Sequence, residues 1–185
     1  MAIKTFTAGE ILTAADTNTY LANSGLVYIN QFTLSGGTTN LTSIFSATYD
    51  EYLLVVTGAT TSGAIIDFFQ MLNGTTPATG SDYNRGRWST ASPTSASRET
   101  NQTSGYIVTT GSTVTSFTVN VVNPFLAAKT QVNTFGQYGG SSDETYAELI
   151  TSTHKLSTSY DGISFIAPSN TWTAGKVKVY GYRKP

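Results

Sequence analysis

The chain has 185 residues, with 10 Lys and Arg against 11 Asp and Glu, for a net charge of -1. Nothing in that balance attracts nucleic acid or an anionic membrane. Charged residues are only 11% of the total, against about 25% in an ordinary soluble protein, and there is no Cys, which excludes a disulfide framework, a thiolate metal site and a thiol nucleophile.

Polarity comes instead from Ser, Thr, Asn and Gly. The 11 Tyr, 9 Phe and 2 Trp supply the apolar bulk that disordered chains lack, so a folded core is expected. The N-terminal MAIKTFTAGE lacks the apolar stretch of a signal peptide. No run approaches the roughly 18 apolar residues of a membrane-spanning helix.

In chain order, the first element is a short helix. Thr13 is a suitable N-cap, and Asp16 three residues on completes a capping-box-like pair. Ala14 and Ala15 favour helix, and Gly25 is a stop. Leu12, Ala15 and Leu21, with Tyr20 alongside, make only a thin apolar stripe. Isolated helices under about 12–15 residues are marginal in water, so this one is expected to form only when packed against something. Residues 1–25 are read as a separate N-terminal segment and 26–185 as a β domain.

After Gly25 the period changes to two. Strands are predicted at 26–32, 52–57, 64–72, 83–89, 106–109, 116–122, 132–138, 146–156, 162–167 and 176–183. Asn73-Gly74 is a tight-turn signal. The Ser/Thr-rich 89–105, with Pro93, reads as a long exposed loop. In 116–122, Phe117, Val119 and Val121 alternate with Thr118 and Asn120, giving one apolar and one polar face. Phe68, Phe117, Phe165, Leu54 and Val179 are expected in the core. About ten short strands with turns at intervals near ten residues predict an all-β, antiparallel two-sheet sandwich, jelly-roll-like, behind the short helix.

Reactive groups are sparse. His154 is the only His and has no His or Cys to share a metal with; it is expected as an exposed or hydrogen-bonded strand residue. Asp50-Glu51 and Asp143-Glu144 are neighbours in sequence, which strand geometry would turn to opposite faces. Asp67 lies inside an apolar run and reads as a solvent-facing residue, a buried acceptor or a calcium ligand. No nucleotide-binding, hydrolase or EF-hand motif is present. The expectation is a chain that is not an enzyme, with no catalytic residues, no metal site and no cofactor. One cluster suits a glycan: Tyr83, Asn84, Arg85, Arg87 and Trp88 combine aromatic faces with planar donors. The competing reading puts Tyr83 and Trp88 in the core and Arg85 and Arg87 on a solvent face.

Two stretches resemble structural proteins of tailed bacteriophages, of the small tail-fibre, appendage and head-decoration types of cyanophage-like phages. At the front the matching residues are Phe6, Gly9, Leu12, Thr13, Ala14, Ala15, Asp16, Asn18 and Tyr20. At the back they are 161–165, Gly175, Val177 and 179–183, and 49–56 is similar to a strand of the same group. Residues 60–155 carry no resemblance. The resemblance implies a virion structural protein, commonly a homotrimer, attached to the particle or to sister chains through its N-terminal segment, with the β domain outward. Phe6, Leu12, Thr13, Ala15, Asp16, Tyr20 and Leu21 are then the attachment residues. The expected partners are other copies, other virion proteins and a host surface glycan, with no nucleic acid or membrane. A stand-alone, lectin-like carbohydrate-binding module is the alternative.

Overall fold

The structure, a computed structural model, describes residues 7–11, 13, 25–91, 94–139 and 145–184. The predicted helix, with Phe6, Leu12, Ala15, Asp16, Tyr20 and Leu21, lies outside them; Thr13 is described and exposed. Ahead of it, Thr7 and Glu10 close a turn: the Glu10 amide donates to Thr7 O at 3.0 Å, and the Thr7 amide donates to Glu10 Oε2 at 3.2 Å.

Thirteen strands follow: β1 (Leu26–Thr33), β2 (Thr38–Leu41), β3 (Glu51–Thr61), β4 (Ile65–Asn73), β5 (Thr76–Pro77), β6 (Tyr83–Ser89), β7 (Ser95–Gln102), β8 (Gly105–Thr110), β9 (Thr115–Val122), β10 (Thr130–Gly139), β11 (Thr145–His154), β12 (Gly162–Ile166) and β13 (Trp172–Tyr182). They form two antiparallel sheets, and no helix occurs among the described residues. The large sheet has eight strands in the order β1-β13-β3-β9-β10-β11-β6-β7. The small sheet runs β2-β12-β4-β5, with β8 also paired to β4.

The expected loop over 89–105 is corrected. Its middle is β7, an edge strand on β6. Six of its eight residues are exposed, so it has no buried parity and lacks the apolar alternation that marks a strand in sequence.

The core lies between the sheets. Tyr52, Leu54 and Val56 of β3, Phe117, Val119 and Val121 of β9, and Val177 and Val179 of β13 meet Phe69 and Met71 of β4 and Ile163 and Phe165 of β12. The Phe117 and Phe165 rings, 6.4 Å apart, join the two layers. Each such side chain contributes roughly 1.5–3 kcal/mol by leaving water. Four of the five expected core residues are here. Phe68 is the exception: it is half-buried, because its position in β4 turns it away from Phe69, and it stacks on Tyr106 at 5.5 Å.

Strand β8 is buried along its whole length although it is an edge of the small sheet. Unpaired edge amides in an interior are costly. The large sheet supplies acceptors for two of them. The Tyr106 amide donates to Ser152 Oγ at 3.2 Å, and the Thr109 amide donates to Glu148 Oε2 at 2.7 Å. Strands β10, β11, β6 and β7, which extend the large sheet beyond β9, thereby cover that edge with their inner face and leave an outer face open.

Candidate functional site

The extension carries the residues singled out as a glycan cluster, and the pleat of β6 divides them. Tyr83, Arg85 and Arg87 share one parity, and Asn84, Gly86 and Trp88 the other. The first set faces inward. Tyr83 is fully buried; its hydroxyl accepts from the Met71 amide at 2.9 Å and donates to Ala78 O at 3.1 Å, and burial pushes it above the ordinary tyrosine range.

Arg85 lies 3.9 Å over the Tyr106 ring and donates through Nε and Nη2 to Glu99 Oε2 at 3.0 and 2.6 Å. Its Nη1 reaches Ser104 O and Oγ, each at 3.2 Å. The Tyr106 hydroxyl donates to Glu99 Oε1 at 2.6 Å, and this bond, with Arg85, holds the Glu99 carboxyl below its usual range. Arg87 donates through Nε to Glu148 Oε1 at 2.6 Å and through Nη2 to Thr109 Oγ1 at 3.1 Å. Both guanidinium groups are thus occupied internally, and Tyr83 offers no free ring. Tyr83 and Arg87 leave the sugar-binding cluster, while Arg85, though paired, still borders the open trough beside Gly86. The competing reading holds for Tyr83, which lies in the core, and is corrected for the rest: the arginines are paired internally and Trp88 faces water.

The other reactive candidates also have internal partners. Asp67 is fully buried, which rules out the solvent-facing reading. Its Oδ2 pairs with the Thr110 hydroxyl. Thr110 Oγ1 lies 3.0 Å from Thr61 Oγ1, and Thr61 Oγ1 donates to Gly63 O at 2.8 Å. The Thr110 hydroxyl donates to Asp67 and the Thr61 hydroxyl to Gly63 O. Burial pushes the Asp67 carboxyl up to about 8, and Glu148 adds to the shift against the opposing bond from Thr110.

His154 is the hydrogen-bonded residue of the two alternatives and not the exposed one: it is buried between the rings of Tyr83 and Tyr160, 4.5 and 5.0 Å from their centroids, its Nε2 lies 3.4 Å from the Tyr160 hydroxyl, and burial lowers its pKa. Asp50 pairs with Lys184 at 2.8 Å, and Glu51 accepts from Asn120 Nδ2 at 2.7 Å. Asp143 and Glu144 lie outside the described residues. No group of three or more potential metal ligands occurs among the described residues.

The outward set builds a surface feature. Trp88 is paired laterally with Leu149 of β11, and Leu149 with Phe135 of β10. The three form one row across neighbouring strands and are 46%, 49% and 64% exposed. Beside the row, Gly86 pairs with Thr151 on one side and Arg98 on the other. Next to Gly86, Asn84 pairs with Thr153. With Arg85 and Glu99, these residues line an open trough of about 250 Å³. Gly86 forms its floor because a Cβ there would stand 3.5 Å from Thr151 Oγ1 and 3.6 Å from Ser97 O. A second shallow groove, of about 240 Å³, borders Phe135, Val55 and Thr118 at the other end of the row.

Arg98, Thr151, Thr153, Leu149 and Phe135 were not legible as site residues from sequence. The available signal was a large apolar residue on the water-facing parity of a strand, as with Phe135 between Thr134 and Gly136. Comparison with protein-family models, with curated proteins and with solved structures finds no match to this chain.

Proposed function

We propose that the chain is a non-catalytic structural protein of a tailed-phage virion, a tail fibre or capsid decoration. In this reading it is a homotrimer held through residues 1–25, and its β domain projects outward as a jelly-roll sandwich. The observation that carries the reading is the strand order. The pairs β1–β13 and β3–β9 fall in one sheet, and β2–β12 and β4–β8 in the other. That is a ribbon folded back on itself and rolled so that successive pairs alternate between sheets. Double-sheet jelly rolls are built this way and include viral capsid and lectin domains. The step from fold to function is an analogy; the resemblance of both chain ends to phage structural proteins gives it direction. Among the described residues, the two buried carboxylates, Asp67 and Glu148, have structural partners.

Light scattering on the purified chain tests the assembly. The expected mass is three times 19.7 kDa, and Leu12→Asp with Leu21→Asp should reduce it to one. A monomer at every concentration overturns the trimer, and imaging that fails to find the chain on a particle overturns the virion role. The trough beside Trp88 favours a second reading, a carbohydrate-binding module, which stands alone or serves as the adhesive face of such a particle.

A further inference from the structure

We propose that the outer face of the β10-β11-β6-β7 extension binds a carboxylated glycan, with a pyranose ring stacked on Trp88 and its carboxylate met by Arg98. The proposal rests on the carbohydrate-binding reading and specifies its ligand class and position.

The floor comes first. A flat strand face normally presents side chains at every second residue. Gly86 interrupts that cover between Asn84 and Trp88, and its lateral neighbours are Thr151 and Arg98. A small ligand can therefore lie against backbone with hydroxyl, amide and guanidinium groups around it. A sugar uses these groups: hydroxyls exchange hydrogen bonds with Thr151, Thr153 and the Asn84 amide, while its apolar face covers an aromatic ring. Asn84 is pre-oriented, since its Oδ1 accepts from the Asn101 amide at 3.3 Å, which leaves its amide hydrogens for a ligand. The apolar row continues from Trp88 to Phe135 over two strand spacings, roughly 10 Å, long enough to carry an oligosaccharide.

The charge inventory selects the ligand's sign. Glu99 is the one carboxylate lining the trough, and both its oxygens are taken by Arg85 and Tyr106. Arg98 is exposed and forms no ion pair among the described residues. Lys155 stands nearby, its Nζ 2.6 Å from Asn101 Oδ1 and not on a carboxylate. Asp82, at the start of β6, touches this end of β11 through its backbone, accepting from the Lys155 amide at 2.8 Å. The trough thus has a free guanidinium, which matches a carboxylate by a two-point hydrogen bond.

The test uses the full-length chain and two sets of probes of equal length: oligogalacturonate and alginate oligomers, and the neutral cello- and xylo-oligosaccharides. Calorimetry should show at least one uronate oligomer bound about tenfold more tightly than the neutral set. Trp88→Ala should weaken binding to both sets. Arg98→Gln should erase the preference for acid by weakening the uronate about tenfold, and Arg98→Lys should restore part of it. Gly86→Val should abolish binding with an unchanged thermal melt. Added salt should weaken but not abolish uronate binding, and dextran sulfate should bind no better, which separates a sugar site from simple ion exchange.

Equal affinity for neutral and acidic oligomers overturns the acidic specificity and leaves the carbohydrate-binding reading standing. No binding to any uronate oligomer overturns the proposal, as does full affinity in Trp88→Ala. If Trp88→Ala or Phe135→Ser changes the solution mass and not sugar binding, the face is a subunit contact and the proposal fails.

Discussion

Asp67 sits in the middle of an apolar strand and accepts from the Thr110 hydroxyl. Burial pushes its carboxyl up to about 8, whereas an unfolded chain releases the proton near pH 4. Between those values the folded state binds more protons, so this group's contribution is full below about pH 4 and is lost as pH rises towards 8, by up to about 1.4 kcal/mol per pH unit. Buried His154 acts in the opposite sense. Its lowered pKa means that the unfolded chain takes a proton that the fold refuses, so stability falls as pH drops below about 6.5. Asp67→Asn keeps the acceptor for Thr110 and removes the titrating group. From pH 5 to pH 7.5 the urea midpoint should rise more, or fall less, in the variant than in the unmodified chain, because the variant retains only the opposing effect of His154. An unchanged difference would place the proton elsewhere.

Glu148 is the second buried acid, and its role is different. It accepts from Arg87, from the Thr109 amide and from the Thr109 hydroxyl. Replacing it with Ala strands a guanidinium and an edge amide together. Removing one partner of a buried ion pair costs about 3–5 kcal/mol. Chemical denaturation of Glu148→Ala should show a loss of that size. A loss under 1 kcal/mol would mean that water reaches Arg87 and that β8 is not sealed.

Among the elements, β8 shows most clearly how the sheets join. It pairs on one side with β4 and meets side chains of the large sheet on the other. Its first residue, Gly105, lies beneath the Phe69 ring, where a Cβ would come within 2.1 Å of the ring. Gly111, just past its end, has room: a Cβ there would lie 3.7 Å from Ala64. Gly105→Ala should therefore destabilise by about 1–3 kcal/mol or more, whereas Gly111→Ala should stay within about 0.5 kcal/mol of the unmodified chain. Thermal melts of the two side by side check this, and equal melts would refute the close packing of β8 on β4. In the central strands, Phe117→Ala should cost about 3–5 kcal/mol, because its ring bridges to Phe165 across the two layers.

At the scale of the whole molecule, the two halves of the chain play different parts. The ends build the rolled pairs β1–β13 and β2–β12. The middle inserts β5–β7 between β4 and β8, and β10–β11 between β9 and β12. Both insertions contribute to one flank of the large sheet, where β10, β11, β6 and β7 lie side by side. The trough and the apolar row are built on that flank. A binding surface of the kind proposed, placed on inserted strands, can change without disturbing the rolled frame. Grafting is a direct check: residues outside β6, β7, β10 and β11 should be replaceable on the surface without loss of sugar binding, measured by the same calorimetry.

Sequence alone determined the class of this protein. Period-two alternation in 52–57, 116–122 and 176–183, the Asn73-Gly74 turn and the regular spacing of breaks each reflect local backbone geometry, which is written within a few neighbouring residues. For the same reason the interior parity of Phe117, Val119 and Val121 was legible. The tertiary structure alone decided which face of β6 looks inward, since Tyr83 and Trp88 are both aromatic and both parities hold polar residues. The choice fell to partners distant in sequence: Glu148 for Arg87, Glu99 and the Tyr106 ring for Arg85. Strand β7 was hidden for a related reason, as an exposed edge has no buried parity to mark it. Local propensity is carried by adjacent residues, but the burial of a charge depends on whether an opposite charge arrives from another strand, and only the assembled fold settles that.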